Sequence, residues 1–298
     1  MRVRWNFNTD TPLPPDEPAG ENPPEGAMID YRLGPNATGP ITLEIKDSKG
    51  NVVRRYASTD RVSAPDPKLK IPRYWVQPPQ TLSAAPGLHR FYWDMHLQPL
   101  HDVDPEYPMT AVLKKTAPEP TGPWVVPGDY SVVLTAGGKS FSQPLTLKLD
   151  PRVKASSADL AKQFELSKAL YATRATLLPI GKSFDGLVSA VTKTKERAGD
   201  QPIKEKIEAL HKKLETFGDP APSRPDQPLH FDVLTKIEQL FGDLQETDAG
   251  PTPQVEAAAL AVQRDAKTAT ERWHAIPAEV ETLNAALEAA GIEKIKFP

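Results

Sequence analysis

The chain has 298 residues, of which 33 are proline and none is cysteine, and its formal net charge is -3. At ~100–200 residues per domain, this length suggests about two domains. The missing cysteines exclude disulfide scaffolds, thiolate metal sites and cysteine nucleophiles. The slightly acidic balance argues against nucleic-acid binding, which normally needs a basic face. No apolar stretch approaches the ~20 residues of a membrane span, and the first residues lack the apolar core of a signal peptide.

The first 26 residues contain closely spaced prolines. Proline fixes φ and has no backbone N–H, so this segment is unsuited to a helix or a central strand. We expect an extended lead-in that lies along another surface. Its prolines are at positions 12, 14, 15, 18, 23 and 24.

Residues 27–152 alternate between short strand patterns and turns or proline-rich loops. The turn Asp47-Ser48-Lys49-Gly50 predicts a hairpin, and Gly137-Gly138 predicts a second one. Six or seven short strands with no helical window predict an immunoglobulin-like β-sandwich. The expected strands cover 27–33, 41–45, 52–56, 88–94, 130–135 and 140–149.

Residues 153–298 are rich in Ala, Leu, Glu and Lys, and their apolar residues recur at helical spacing. Ser156 and Asp159 predict a capping box at the start of the first helix. Four helices with short connections predict an antiparallel four-helix bundle. The helices are expected from 156 to about 198 with a kink at Pro179, from Pro202 to 217, from 231 to 244, and from Pro253 to 287 with a kink at Pro277.

The two compositions meet near Asp150-Pro151-Arg152. Of the 33 prolines, 23 lie before residue 153, and so do 13 of the 21 aromatic residues. Aromatic residues favour strands, whereas Ala, Leu, Glu and Lys favour helices. The predicted fold class is therefore multidomain β + α, with the lead-in at 1–26, the sandwich at 27–152 and the helical bundle at 153–298.

Histidine and acidic side chains crowd the region 89–104. Imidazole and carboxylate groups together can bind zinc or another divalent ion. However, His96 and His101 match no tight ligand spacing, and Asp102-Val103-Asp104 lacks the further oxygens and the glycine of a calcium loop. We expect a solvated loop with no metal or other cofactor, and His96, His101 and Asp104 are the ligands that a metal would use.

Two tryptophans in proline-flanked loops are candidates for contact with a sugar ring. These are Trp75 and Trp124, and Tyr107 and Asp102 complete the candidate ligand-binding set. The alternative is that aromatic residues fill a core, as expected for Trp93 at the position of a sandwich's central tryptophan.

Catalytic motifs are missing from the sequence. It has no Gly-x-Ser-x-Gly elbow, no His-Glu-x-x-His and no glycine-rich phosphate loop. Asp94, Asp102, Asp104 and Glu106 form the local carboxylate cluster that glycoside cleavage would need, although acids of a loop are the expected interpretation. Lys193, Lys195 and Arg197 alternate with acids, which predicts a solvated helix face.

Three groups of motifs resemble a known family. The first group resembles the segment that follows the β-propeller in bacterial sortilin-like proteins of the BNR-repeat or VPS10 type, which are often named glycosyl hydrolases. It consists of residues 6–20, NFNTDTPLPPDEPAG, and of PPEGA at 23–27. The motifs at 47–54, 86–94 and 127–134 resemble strand signatures of FlgD-type immunoglobulin-like modules. Residues 143–152, with the helix that carries Gln163, resemble the C-terminal helical region of the same proteins.

The resemblance implies that the chain corresponds to the C-terminal region of such a protein without its propeller. In that family any glycosidase or ligand site is expected on the propeller, so no catalytic residue is carried over. The resemblance also implies a periplasmic or extracellular location and a β-propeller, on the same chain or a neighbouring protein, as partner.

Two functions follow as expectations. The preferred one is a non-catalytic accessory module that packs against the propeller and is strapped to it by the lead-in. The alternative is a carbohydrate-binding module or a glycoside hydrolase component that uses the loop 89–107 and the exposed tryptophans.

Overall fold

The computed structural model describes residues 2, 18, 26–61, 71–77, 80–100, 122–199, 201–218 and 231–297. The backbone divides into two compact units, Met1–Phe164 and Glu165–Pro298. Antiparallel sheets occupy the first unit, and the helices begin near its end and fill the second. The predicted mixed β + α class is confirmed. The division falls inside the first helix, whereas the sequence places the boundary just before that helix.

The first unit contains two antiparallel sheets within its described residues. One sheet has the order β1-β4, and the other has the order β3-β2-β5-β6. A short 3-10 turn covers Arg73–Trp75. The strands are β1 (Ala27–Leu33), β2 (Ile41–Asp47), β3 (Val52–Ala57), β4 (Gly87–Trp93), β5 (Gly128–Ala136) and β6 (Lys139–Leu147).

Local turn chemistry explains both predicted hairpins. Asp47 Oδ1 accepts hydrogen bonds from the backbone N–H groups of Lys49 (2.9 Å) and Asn51 (2.8 Å), and β2 pairs with β3 across this turn. Gly137 and Gly138 both have positive φ, at 55° and 74°. Such values fit the two-residue turns that join twisted strands, and glycine adopts them without a Cβ penalty.

The two sheets share one apolar core, in which Leu43, Ile45 and Trp93 are fully buried. Register places a row of side chains on one face of the larger sheet, from Leu43 on β2 through Leu134 on β5 to Phe141 on β6. Exposure rises along this row, and Phe141 is 57% exposed. The described residues therefore leave the β6 end of the core-side face uncovered.

β6 is the last strand of the larger sheet and contains Pro144 opposite Ser131. In a two-residue hairpin the closing pair is hydrogen-bonded, and hydrogen-bonded pairs alternate with non-hydrogen-bonded ones from there. Counting from the closing pair Ala136 and Lys139 puts Pro144 at a non-hydrogen-bonded position. Its missing N–H therefore lies on the edge that faces away from β5.

The described residues contain five α-helices. The predicted capping box is present at the first, since Ser156 Oγ accepts from the Asp159 N–H (3.1 Å) and Asp159 Oδ2 accepts from the Ser156 N–H (3.2 Å). Pro179 lies within the first helix without ending it. The helices are α1 (Ser157–Ala198), α2 (Lys204–Glu215), α3 (Asp232–Glu246), α4 (Pro253–Trp273) and α5 (Ile276–Ala289).

The expected fourth helix with a kink at Pro277 is instead two helices. α4 ends at Trp273, and α5 begins at Ile276 with Pro277 in its first turn. The first turn of a helix does not use the N–H group that proline lacks, so Pro277 starts a helix more readily than it bends one. The prediction of a continuous, kinked helix was wrong here.

The helices of the second unit enclose a single apolar cluster. Trp273 at its centre has ring contacts with Phe184, Phe217 and Phe231, with centroid distances of 5.8–6.4 Å. Among the described residues, no helix combines the length and apolar character needed to span a membrane.

Candidate functional site

Of the residues singled out as ligand-binding, metal or carboxylate candidates, the structure describes four, namely Trp75, Asp94, His96 and Trp124. Asp102, Tyr107, His101 and Asp104 lie outside the described residues, as does Glu106 of the carboxylate cluster. The site is therefore built from residues 93–98 and 122–125 and from their neighbours on β3.

His96 and Trp124 come together through a short antiparallel backbone pairing. Leu97 N donates to Pro123 O and Val125 N donates to Met95 O, both at 2.9 Å. The two rings lie 4.1 Å apart between centroids at an angle of 49°. Sequence reasoning named both residues, but as members of two different candidate sites.

His96 is buried and its ring is held by the backbone. Its Nδ1 lies 2.8 Å from Asp94 O, and its N–H donates to Asp94 Oδ1 at 3.1 Å. Its carbonyl accepts from the indole N–H of the fully buried Trp93, at 3.1 Å. These contacts give His96 a packing role in the first unit.

Arg2 packs against the other partner of this pair. Its guanidinium lies 5.8 Å from the Trp124 ring, and its Nη1 donates to Val125 O at 2.5 Å. Its N–H donates to Lys148 O at 2.8 Å, and Arg2 is only 2% exposed. The half-buried Trp124 is thus in contact with a histidine and an arginine of its own chain.

Trp75 lies apart from this pair, in the 3-10 turn Arg73–Trp75. It is half-buried, and its indole N–H is buried without a hydrogen-bond acceptor in the part of the chain that the structure describes. The neighbouring Tyr74 is 47% exposed, and its ring meets Trp75 edge-on at 6.0 Å. No ring contact links Trp75 to Trp124 within the described ranges.

An arginine that the sequence reasoning missed links β3 to residues 94–97. Arg54 Nη1 donates to Leu97 O at 3.0 Å, and Nη2 lies 3.5 Å from Asp94 Oδ2. The guanidinium also lies 4.9 Å from the Tyr56 ring. Burial raises the pKa of the Tyr56 phenol, and the negative charge of Asp94 adds to that rise. The sequence contained a signal for this contact, because Arg54 and Arg55 are consecutive in a strand and must point to opposite faces, so that one of them points to the core side.

Met95 has a strained backbone between Asp94 and His96. Its φ is 60°, a left-handed value that is unusual for a long side chain, and the residue is 3% exposed. The strain is compatible with the flanking hydrogen bonds that fix Asp94 and His96. Strained residues of this kind concentrate at functional positions, although packing alone can also hold them.

The chemistry of this region is that of a structural polar cluster with an accessible carboxylate. Asp94 keeps 43% of its side chain exposed while its oxygens contact Arg54 and the His96 N–H. Among the described residues, no three His, Asp or Glu side chains are grouped so that they could hold a metal ion. The arrangement can orient a polar partner at Asp94, and its described residues include no nucleophile beside a general base.

Comparisons with family models, curated proteins and solved structures find no match to this chain. The likeness to sortilin-like proteins accordingly depends on the sequence motifs alone, and the site has to be interpreted from its own geometry.

Proposed function

We propose that the chain is a non-catalytic interaction module that packs against a β-propeller of a secreted, sortilin-like bacterial protein. In this proposal the two sheets are an immunoglobulin-like sandwich. The helices form an antiparallel bundle in which α4 and α5 together take the place of the fourth predicted helix. The motifs at 47–54, 86–94 and 127–134 support the first assignment, and the shared apolar cluster of α1–α5 supports the second.

The observation that carries the proposal is the part of the larger sheet that the described residues leave uncovered. The row that starts at the fully buried Leu43 ends at Phe141, which is 57% exposed. Covering a large apolar side chain is favourable, so in the proposal Phe141 is a contact point for the partner. A propeller surface that covers Phe141 would complete the core on that side.

The lead-in provides a second, smaller support. Arg2, its described buried residue, bridges in parallel to Leu149 and bonds to Val125. The start of the chain is thereby fixed to the first unit. In the proposal, residues 6–20 are the part of the lead-in that contacts the partner.

Binding to a propeller protein encoded beside this chain tests the proposal. The purified chain and propeller should form a complex in size-exclusion chromatography, and Phe141→Ser should weaken its Kd at least about tenfold, roughly 1.4 kcal/mol. Val52→Ser is the matched control, because Val52 is 50% exposed on β3 at the opposite edge of the sheet. Equal affinity for both variants would refute docking at β6. Unchanged binding after deletion of residues 6–20 would refute the role of the lead-in as a strap.

A carbohydrate-binding role is the second candidate, and Trp75 favours it. Trp75 is half-buried beside Tyr74, whose ring is 47% exposed, so the two rings offer an aromatic surface on which a sugar ring could pack. A glycan array and a panel of nitrophenyl glycosides test this role. Binding or hydrolysis should be lost in Trp75→Ala, Trp124→Ala or Asp102→Asn. If the parent chain neither binds a glycan nor hydrolyses a glycoside, the carbohydrate-binding role is refuted.

A further inference from the structure

A cleft of about 240 Å³ lies in the second unit, between the last turns of α1 and the C-terminal segment 291–297. Its lining is strongly basic for a chain whose formal net charge is -3. Four cationic side chains and one carboxylate contribute to it: Lys193, Arg197, Lys294, Lys296 and Glu293.

The C-terminal segment is held firmly, so its lysines have defined positions. After α5 ends at Ala289, Gly291 adopts a φ of 71°, and Ile292 N donates to Leu287 O at 2.9 Å. The Asn284 side chain then donates to Ile295 O (2.8 Å) and accepts from Ile295 N (2.7 Å). Ile295 is 4% exposed. Both neighbours of this anchored residue are lysines that line the cleft.

The charges around the cleft are only partly neutralised. Arg197 pairs with Glu293 at 2.8 Å, and Lys294 pairs with Glu288 at 2.9 Å. These pairs are exposed, and such pairs hold their partners weakly. Within the described ranges, Lys193 and Lys296 contact no carboxylate. Lys195 of the same helix pairs with Glu208 at 3.1 Å.

Interaction with a helix dipole does not explain all four cationic side chains of the cleft. Cations in the last turn of α1 interact favourably with its dipole, which accounts for Arg197 but not for Lys193, one turn earlier. That effect falls off within the last turn of a helix. Lys296 follows α5 by more than a turn and belongs to an extended segment, so its place in the cleft needs another explanation.

We propose that this cleft binds a small multivalent oxyanion of the phosphate or pyrophosphate type. Ser189, Lys193 and Arg197 lie at i, i+4 and i+8 on α1 and therefore share one face of the helix. Gly186 and Ala190 also line the cleft, and their small size leaves space for a ligand next to these three side chains. Ammonium, guanidinium and hydroxyl donors from the helix and from the C-terminal segment converge on the ligand. Charge-assisted bonds of this kind are the strongest hydrogen bonds that a protein offers an oxyanion.

Calorimetric titration of the full chain with inorganic pyrophosphate tests the site. We expect saturable binding that weakens at least about tenfold in Lys193→Ala/Lys296→Ala, because that variant removes both cations without a carboxylate partner. Binding should also weaken between ionic strengths of about 0.01 M and 0.15 M, where the Debye length falls from about 30 Å to 8 Å. Orthophosphate is titrated in parallel and should bind less tightly than pyrophosphate.

The matched control is Lys206→Ala/Lys267→Ala, which removes the same charge from exposed positions on α2 and α4. It should bind pyrophosphate like the parent chain. Equal weakening in both double variants, or no saturation, would overturn the proposal. Binding of a hexaglutamate peptide without binding of pyrophosphate would also overturn it, because the cleft would then recognise a protein segment. None of these outcomes depends on the propeller, so the site and the proposed docking function can fail separately.

Discussion

Replacement of Arg2 is the sharpest test of the region around Trp124. Arg2 is 2% exposed, donates to Val125 O at 2.5 Å and lies 5.8 Å from the Trp124 ring. A hydrogen bond from a charged donor contributes about 1.5–3 kcal/mol, and a partly buried cation–π contact adds about 1 kcal/mol. The cost of keeping a guanidinium out of water opposes both. Arg2→Ala should therefore lower the free energy of unfolding of the first unit by about 2–3 kcal/mol.

Two further variants separate the guanidinium from its packing. Arg2→Met retains most of the buried volume and should lose about 1 kcal/mol less than Arg2→Ala. Arg32→Ala removes an exposed arginine of β1 and should change the stability by less than about 0.5 kcal/mol.

The two units provide an internal control for this measurement. In a Trp273→Phe background all remaining tryptophans lie in the first unit, so their fluorescence reports on that unit, whereas helical circular dichroism reports mainly on the second. With a slope of about 2–4 °C per kcal/mol for a unit of this size, Arg2→Ala should lower the fluorescence Tm by roughly 4–12 °C. The helical transition should stay in place. A fluorescence Tm within about 1 °C of the parent would refute the anchoring role of Arg2.

Three further predictions concern other contacts. Arg152 lowers the pKa of Asp150 to about 2. The ionised Asp150 carboxylate therefore contributes fully to the free energy of unfolding above pH ~4, and this contribution is lost as the pH falls towards 2. Asp150→Asn should remove this contribution to the pH dependence of stability, measured by urea unfolding at a series of pH values. Gly122→Ala would place a Cβ 2.4 Å from a backbone oxygen of the neighbouring segment, and should destabilise the first unit by about 2 kcal/mol or more in thermal melts. Asn284→Ala should release the C-terminal segment, which hydrogen exchange would detect as at least about tenfold faster exchange of the Ile295 amide; unchanged exchange would contradict the clamp.

The sequence predicted elements best where their signals are local. β1 covers 27–33 as expected, and both hairpins follow from residues inside the turns themselves. Alternation along β1 is complete, because every second side chain enters the core. Pro277 was misinterpreted because its effect depends on whether the preceding helix has already ended, and that is decided by packing around Trp273.

The candidate site was harder to predict, because its contacts join distant parts of the chain. Arg54 and Trp124 contact residues 93–98 from two separate segments, and Arg2 contacts Trp124 from a third. No spacing rule links such positions. Sequence composition identified the region around His96, but it could not show that the His96 ring packs on Trp124 or that Arg54 is bonded to the same segment.

Pro144 has a consequence for the behaviour of the protein at high concentration. An outer strand with an exposed phenylalanine would ordinarily invite a second molecule to continue the sheet, and repeated pairing of that kind leads to aggregates. A proline whose missing donor lies on the open side interrupts such a ladder in its middle. β6 can therefore present Phe141 to a partner's side chains while remaining a poor template for strand addition. Replacement of this one proline by valine should increase self-association without altering the core.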